Sequence, residues 1–492
     1  MKKINSNIYY VILAILLVFT ASCQKMDRPS MNIIPDPADD GTIRLLTIGN
    51  SFSEDAVETH LYDLAKAKGV KIIIGNLYIG GATLAQHVTN VKGNANAYSF
   101  RKIDATGTKT TVANTSIATA LANEKWTHIS FQQESSNSGM YNSWVASLPE
   151  LYNYVAPRVK SENPKFILHQ TWAYAKNSTH EGFANYDKNQ LKMYAAIVDA
   201  VNKAKSLVKI DYIVPAGTAI QNGRTSVVED NFTRDGYHLS MPLGRYLAAC
   251  TWFEALTGQN VVGNTYKATG LSDFEIAIAQ NAAHTAILKP NEVTPMTDFQ
   301  GGAGGPLTSS VLLDFGNNTA TERWNNINNF LEGTSINLKD SLGSYVGIKL
   351  TIKERFNGVN TDGPTTTSTV LNMPSNVSKY SYFGNSKAVF NGMTIVKSVF
   401  ELTGLDKNLK YNITFFGARG AVSDNRETKY TATGTNEVIV RLNTSSNTQN
   451  TVVAQNITPD SNGKITVTVT SGENNNNGSG FYYLSAARLI SN

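Results

Sequence analysis

The chain has 492 residues, more than one hydrophobic core usually supports, so two folded domains are expected. Apolar residues make up 41% and charged residues 16%, which excludes a largely disordered chain. The net charge is only +5, part of it from Lys2 and Lys3, and no basic run follows that would mark a nucleic-acid partner.

Lys2 and Lys3 precede an apolar run from Val11 to Phe19, then Thr20, Ala21, Ser22 and Cys23. The run is shorter than the about 20 residues that span a bilayer, so it reads as an export signal. Because it ends on a cysteine, residues 1–22 resemble a bacterial lipoprotein signal, with Thr20 in place of the usual leucine. The resemblance implies cleavage before Cys23, acylation of that residue, and a lipid anchor at the bacterial outer membrane, periplasmic or cell-surface. Each buried methylene contributes about 0.8 kcal/mol, so several acyl chains on one cysteine hold a protein at a membrane essentially permanently. Residues 23–41 are polar, carry Pro29, Pro35 and Pro37, and read as a tether. The other cysteine, Cys250, then has no partner for an intrachain disulfide and reads as a small buried apolar residue.

Over residues 42–289, short apolar runs alternate with stretches of helical period. Ile43 to Ile48, Val70 to Ile74, His128 to Phe131, Phe166 to His169 and Tyr212 to Val214 read as buried strands. Ala56 to Lys68, Leu148 to Val159, Gln190 to Val208, Pro242 to Leu256 and Ser272 to Leu288 read as helices. Such alternation predicts an α/β fold with a parallel sheet covered on both faces. Residues 290–308 hold a Gly-rich breaker cluster and read as a linker. Residues 309–492 are rich in Thr, Asn, Ser and Gly, with alternating stretches such as Lys410 to Phe416, Val438 to Leu442 and Lys464 to Val469. That texture predicts an antiparallel β-sandwich, jelly-roll-like in kind.

Gly49, Asn50, Ser51, Phe52 and Ser53 lie between the first strand and the first helix. The carboxyl end of a strand in an open α/β sheet is where ligands are held, and the N–H groups opening the next helix favour developing negative charge. Taken alone, Ser51 and Ser53 read far more readily as helix caps. Near the end of the domain stand Asp235, Gly236, Tyr237 and His238. A serine hydroxyl needs a base to take its proton, and the histidine needs a carboxylate to fix its tautomer. Ser51, His238 and Asp235 are therefore the candidate triad. The histidines His60, His87, His128, His180 and His284 show no metal-ligand spacing, and no phosphate-cradling glycine loop is present, so neither a catalytic metal nor a cofactor is expected.

With these blocks the chain resembles the SGNH (GDSL-like) hydrolase superfamily, and more closely a bacterial group of uncharacterised SGNH-like domains found in Bacteroidetes lipoproteins. The opening of that group reads much like Ile48 to Ser53 followed by Leu77, Tyr78, Ile79, Gly80 and Gly81. The resemblance covers about Thr42 to Gly258. It implies a flavodoxin-like three-layer αβα domain, with oxyanion donors from the N–H groups of Ser51 and Gly81. The third donor of the superfamily is an asparagine, but here the strand runs into Phe131, Gln132, Gln133, Glu134, Ser135, Ser136 and Asn137. Gln133 and Asn137 both remain open for that role. Asn50, Asn137, Trp172 and Tyr174 are candidate substrate contacts, the two aromatics reading equally as core.

The resemblance implies a serine esterase without cofactor, acting as a monomer on an acetyl or related ester of a carbohydrate. The sandwich resembles galactose-binding-like and other carbohydrate-binding modules, with Trp324, Tyr380, Tyr382, Phe383 and Arg419 as candidate contacts. Two rival readings stand beside this one: a lipase- or thioesterase-type hydrolase with an apolar groove beside Ser51, and a non-catalytic surface glycan-binding lipoprotein.

Overall fold

A computed structural model describes residues 40–301, 306–316 and 323–492. The signal, Cys23, most of the tether and residues 302–305 of the expected linker lie outside the described residues. Ile43–Asn492 gathers into one compact unit. Among the described residues, no helix is long and apolar enough to cross a membrane.

A seven-stranded sheet opens the unit: β1 (Ile43–Gly49), β2 (Ile72–Tyr78), β3 (Tyr98–Ile103), β4 (Lys109–Thr115), β5 (His128–Phe131), β6 (Lys165–His169) and β7 (Tyr212–Val214). They lie in the order β4-β3-β2-β1-β5-β6-β7. β2, β1, β5, β6 and β7 run parallel, the flavodoxin-like arrangement, with its order reversing at β1. Leu45, Leu46 and Ile48 of β1 are wholly buried, so both faces of this central strand are covered. The helices around the sheet are α1 (Ser51–Val57), α2 (Leu61–Ala67), α3 (Leu84–Lys92), α4 (Ile117–Asn123), α5 (Ser147–Val155), α6 (Gln190–Ala204), α7 (Ala216–Gly223), α8 (Leu243–Thr257) and α9 (Asp273–Leu288).

The expected helix over 56–68 is two helices. Its first half begins at Ser51, and the turn breaks before α2 at His60, which has non-helical backbone angles and bonds Tyr266 Oη at 3.0 Å. The hairpin of β3 and β4 joins the sheet through antiparallel pairs, β3 to β2 and β4 to β3, and escapes the sequence reading because β4 is solvent-exposed until Thr115. A polar Thr-rich strand on a sheet edge carries no apolar run to betray it.

From Val311 the chain is antiparallel except for one strand pair. A six-stranded sheet and a five-stranded sheet face one another across a core of Leu313, Leu350, Phe400, Ile413, Tyr430 and Val467, sandwich fashion. A four-stranded sheet containing Gly358–Asn360, Ser381–Phe390 and Phe481–Leu484 lies beside them. The sandwich is bonded to the α/β part: Ser272 Oγ donates to Tyr345 O at 3.1 Å and Asn337 Nδ2 to Val227 O at 3.2 Å.

Candidate active site

β1 ends at the position where the strand order reverses, with β2 on one side and β5 on the other, which is where open α/β sheets hold ligands, and Ser51 follows directly. Asn50 caps α1: its Oδ1 accepts the Phe52 N–H at 2.9 Å. Gly49 is held in a narrow gap, since a Cβ there would meet Ser53 Oγ at 2.7 Å and the Gln132 side chain at 2.9 Å. Any larger residue would displace the turn that presents the serine.

His238 Nε2 lies 2.9 Å from Ser51 Oγ, and His238 Nδ1 lies 2.7 Å from Asp235 Oδ2. Asp235 Oδ1 accepts the backbone N–H groups of Tyr237 and His238 at 3.1 and 2.8 Å, folding the loop into a rigid turn. Partial burial raises the Asp235 carboxyl, but the hydrogen bonds from the His238 ring and from the two backbone N–H groups outweigh it. The carboxyl is held below its ordinary value. An ionised carboxylate on Nδ1–H leaves Nε2 with its lone pair towards the serine hydroxyl, as a general base requires.

A second carboxylate, which sequence reasoning missed, holds this loop against α1. Asp55 is buried, accepts the Leu239 N–H at 2.7 Å, and pairs with Arg245 at 2.5 Å and Arg234 at 3.2 Å. Burial raises its carboxyl despite the two guanidinium groups. Its signal in the sequence is its place four residues after Ser51, one helical turn along α1, with Arg234 next to Asp235.

Gly81 takes a positive φ of 66° in the turn after β2, and Ala82 O accepts Asn50 Nδ2 at 3.1 Å, so that turn is tied to the serine turn. Among the described residues, the Ser51 and Gly81 N–H groups meet no acceptor. Gln133, one of the two open third donors, is corrected. Its Nε2 donates to Ser143 O at 3.1 Å and Ser143 Oγ at 2.9 Å, which spends both hydrogens. Its Oε1 accepts the Leu84 N–H at the start of α3, so it holds the Gly81 turn from behind. Asn137 Nδ2 donates to Glu134 Oε2 at 3.0 Å, within its own short turn. Gln132, one residue earlier, reaches Asn50 Oδ1 at 2.7 Å and accepts from His169 Nδ1 at 2.9 Å. Burial drives the His169 ring down to about 3, so it stays neutral and fixes which way the Gln132 amide points. Asn50 is itself buried by this network and acts as its junction rather than as an open contact.

Trp172 and Tyr174 are corrected as substrate contacts, because both are fully buried. Trp172 stacks on Phe52 with ring centroids 4.4 Å apart and donates Nε1–H to Tyr237 O at 2.7 Å. Tyr174 bonds Ser135 Oγ at 2.8 Å and meets Tyr237 edge-on. They support the half-buried Tyr237 ring, which lies 4.2 Å from the His238 ring. Among the described residues, no three His, Cys, Asp or Glu side chains gather as a metal site.

In the sandwich, Phe383 and Arg419 line a cleft of about 460 Å³ together with Phe390, Phe481, Asp362 and Arg426. Trp324 and Tyr382 are core residues, which removes them from the candidate contacts.

A family profile described as a domain of unknown function, DUF4886, matches residues 44–286, the stretch that builds the sheet and the candidate triad. A DUF4886 family protein from Bacteroides uniformis is 54% identical over 52% of this chain and 99% of its own, with a TM-score of 0.52. More distant are a protein from Slackia heliotrinireducens proposed to be an SGNH hydrolase (22% identity, 43% of this chain, 98% of that one, TM-score 0.29) and an acetylxylan esterase from Geobacillus stearothermophilus (13%, 44%, 94%, 0.31). A search of curated proteins found no match. Through residues 44–286, the chain belongs to the DUF4886 family.

Proposed function

We propose that the protein is a serine esterase that removes a small acyl group, an acetyl ester of a carbohydrate. One observation carries the reading: the unbroken contact from Ser51 Oγ through the His238 ring to the Asp235 carboxylate, beyond the carboxyl end of β1. His238 takes the Ser51 proton as Oγ attacks the ester carbonyl, and the N–H groups of Ser51 and Gly81 receive the oxyanion. His238 then protonates the leaving alcohol and activates the water that frees the acid and restores Ser51, while Asp235 stays ionised.

Support for a glycan substrate comes from the sandwich cleft, where aromatic rings and the paired groups Arg419–Asp362 (3.0 Å) offer a sugar both an apolar face and hydrogen bonds. The same reading has the protein anchored to the outer membrane through acylated Cys23, acting as a monomer. The test is acetate release from acetylated xylan, run beside long-chain p-nitrophenyl esters. Wild-type protein should release acetate, and Ser51→Ala should cut the rate by about 10⁴-fold or more. A preference for long acyl chains would favour a lipase, and no ester turnover at all would leave a glycan-binding protein and sink the reading.

A further inference from the structure

When the tetrahedral intermediate of an ester collapses, the bond from carbonyl carbon to alcohol oxygen breaks and that oxygen takes its proton from His238 Nε2. The two atoms must then lie about 2.6–3.2 Å apart. Nε2 is itself 2.9 Å from Ser51 Oγ, so the alcohol half of the substrate is seated against whatever borders the His238 ring.

Among the described residues, two aromatic rings neighbour it: Phe52, with centroids 6.1 Å apart, and Tyr237, 4.2 Å away and tilted by 42°. Phe52 is buried against Trp172, whereas Tyr237 stays partly exposed. His180 continues the row: its ring lies 4.8 Å from that of Tyr237, at 70°, and it too is partly exposed. His180 Nδ1 accepts the Gly182 N–H at 3.1 Å, so the ring proton sits on Nε2 and leaves a donor there.

Tyr237 is held from three sides. Its N–H bonds Asp235 Oδ1 at 3.1 Å, its carbonyl accepts Trp172 Nε1–H at 2.7 Å, and the buried Tyr174 ring props it edge-on at 5.8 Å. A ring fixed in this way offers a large contact face at little cost in conformational entropy. A flat aromatic face with an N–H donor beside it matches a sugar, which carries apolar C–H faces rimmed by hydroxyls, better than it matches a flexible acyl chain.

We propose that Tyr237, with His180 beside it, seats the alcohol half of the ester and selects a sugar ring there. The inference rests on the esterase reading above and names the residues that would give it its substrate class.

The test compares kcat/KM of the full chain for acetylated xylo-oligosaccharides with that for ethyl acetate, whose alcohol has no ring to stack. Tyr237→Leu keeps bulk against Tyr174 but loses the flat face. One lost contact in a pocket is worth about 10–200-fold in discrimination, so the ratio of sugar ester to ethyl acetate should fall about tenfold or more, while Tyr237→Phe should hold it within about threefold of wild type. Should Tyr237→Leu fail to fold, His180→Ala reads the same ratio, with a fall of about threefold or more expected. A Tyr237 that only packs the loop would lower both rates alike, and an unchanged ratio would overturn the proposal. Wild-type turnover of ethyl acetate without the sugar ester would overturn it as well. Wild-type turnover of neither ester would instead strike down the esterase reading on which it rests.

Discussion

Gln133 shows how far a residue's type can mislead about its role. An amide at the end of a middle strand looks like an oxyanion donor, and only its two bonds to Ser143 and the one from Leu84 reveal a brace behind the Gly81 turn. Removing a true oxyanion donor slows kcat by about 10²–10³-fold. Gln133→Ala should instead lower kcat less than about tenfold while costing roughly 1–3 kcal/mol of stability, because Leu84 N–H and Ser143 lose their partner. Steady-state kinetics beside a urea melt separates the two roles, and a thousandfold loss of kcat with an unchanged melt would restore Gln133 as a donor. Trp172 teaches the same lesson. Aromatic character suggested a sugar platform, but the ring is sealed beneath Phe52, and nothing in the local sequence distinguishes a ring at the mouth from a ring one layer down.

Among elements, the loop that carries His238 and α1 form one device, because Asp55 ties Arg234, Leu239 and Arg245 to the helix that carries Ser51. Asp55→Ala leaves Arg245, itself largely buried, facing the emptied place, and breaking a buried pair in this way costs about 3–5 kcal/mol. The loop should loosen, so kcat should fall much further than KM rises, and the melting temperature should drop. An unchanged kcat would mean that the loop holds its geometry without the clamp. Elements with a clear apolar run or a clear cap were legible in the sequence: β5 and β7 fall where their apolar runs place them, and Ser272 and Pro290 bracket α9 as cap and stop. The edge hairpin β3–β4 and the helix α7 were not. β4 has no buried face to impose alternation, and α7 is only eight residues long with glycine at its second and last positions, so its sequence reads as loop. The contact of Ser51 with His238 was legible because each sits in a short motif, Ser51 at the end of β1 and His238 in the loop before α8. The Gln132–His169 relay was not, since it joins residues 37 apart that meet only when β5 and β6 pair.

For the whole molecule, the α/β part carries a store of neutral buried histidines. Burial holds His60, His87 and His128 down to about 4 and His169 to about 3, with Arg245 and Lys165 adding to the effect at His60 and His128. The folded state thus binds these protons less readily than the unfolded chain, whose histidines titrate near 6.5. Their contribution to stability is complete above about pH 6.5 and is lost as pH falls towards about 4. Thermal melts should therefore drop steadily between those values, and a melt that stays level from pH 6.5 to 4 would contradict the burial of these rings. The most direct test of Ser51 as nucleophile is covalent. The native protein is treated with a fluorophosphonate, and the modified peptide is located by mass spectrometry. A single adduct on Ser51, formed as esterase activity disappears and absent from His238→Ala, is the expected result. An active protein that resists labelling, or carries the label on another residue, would contradict it.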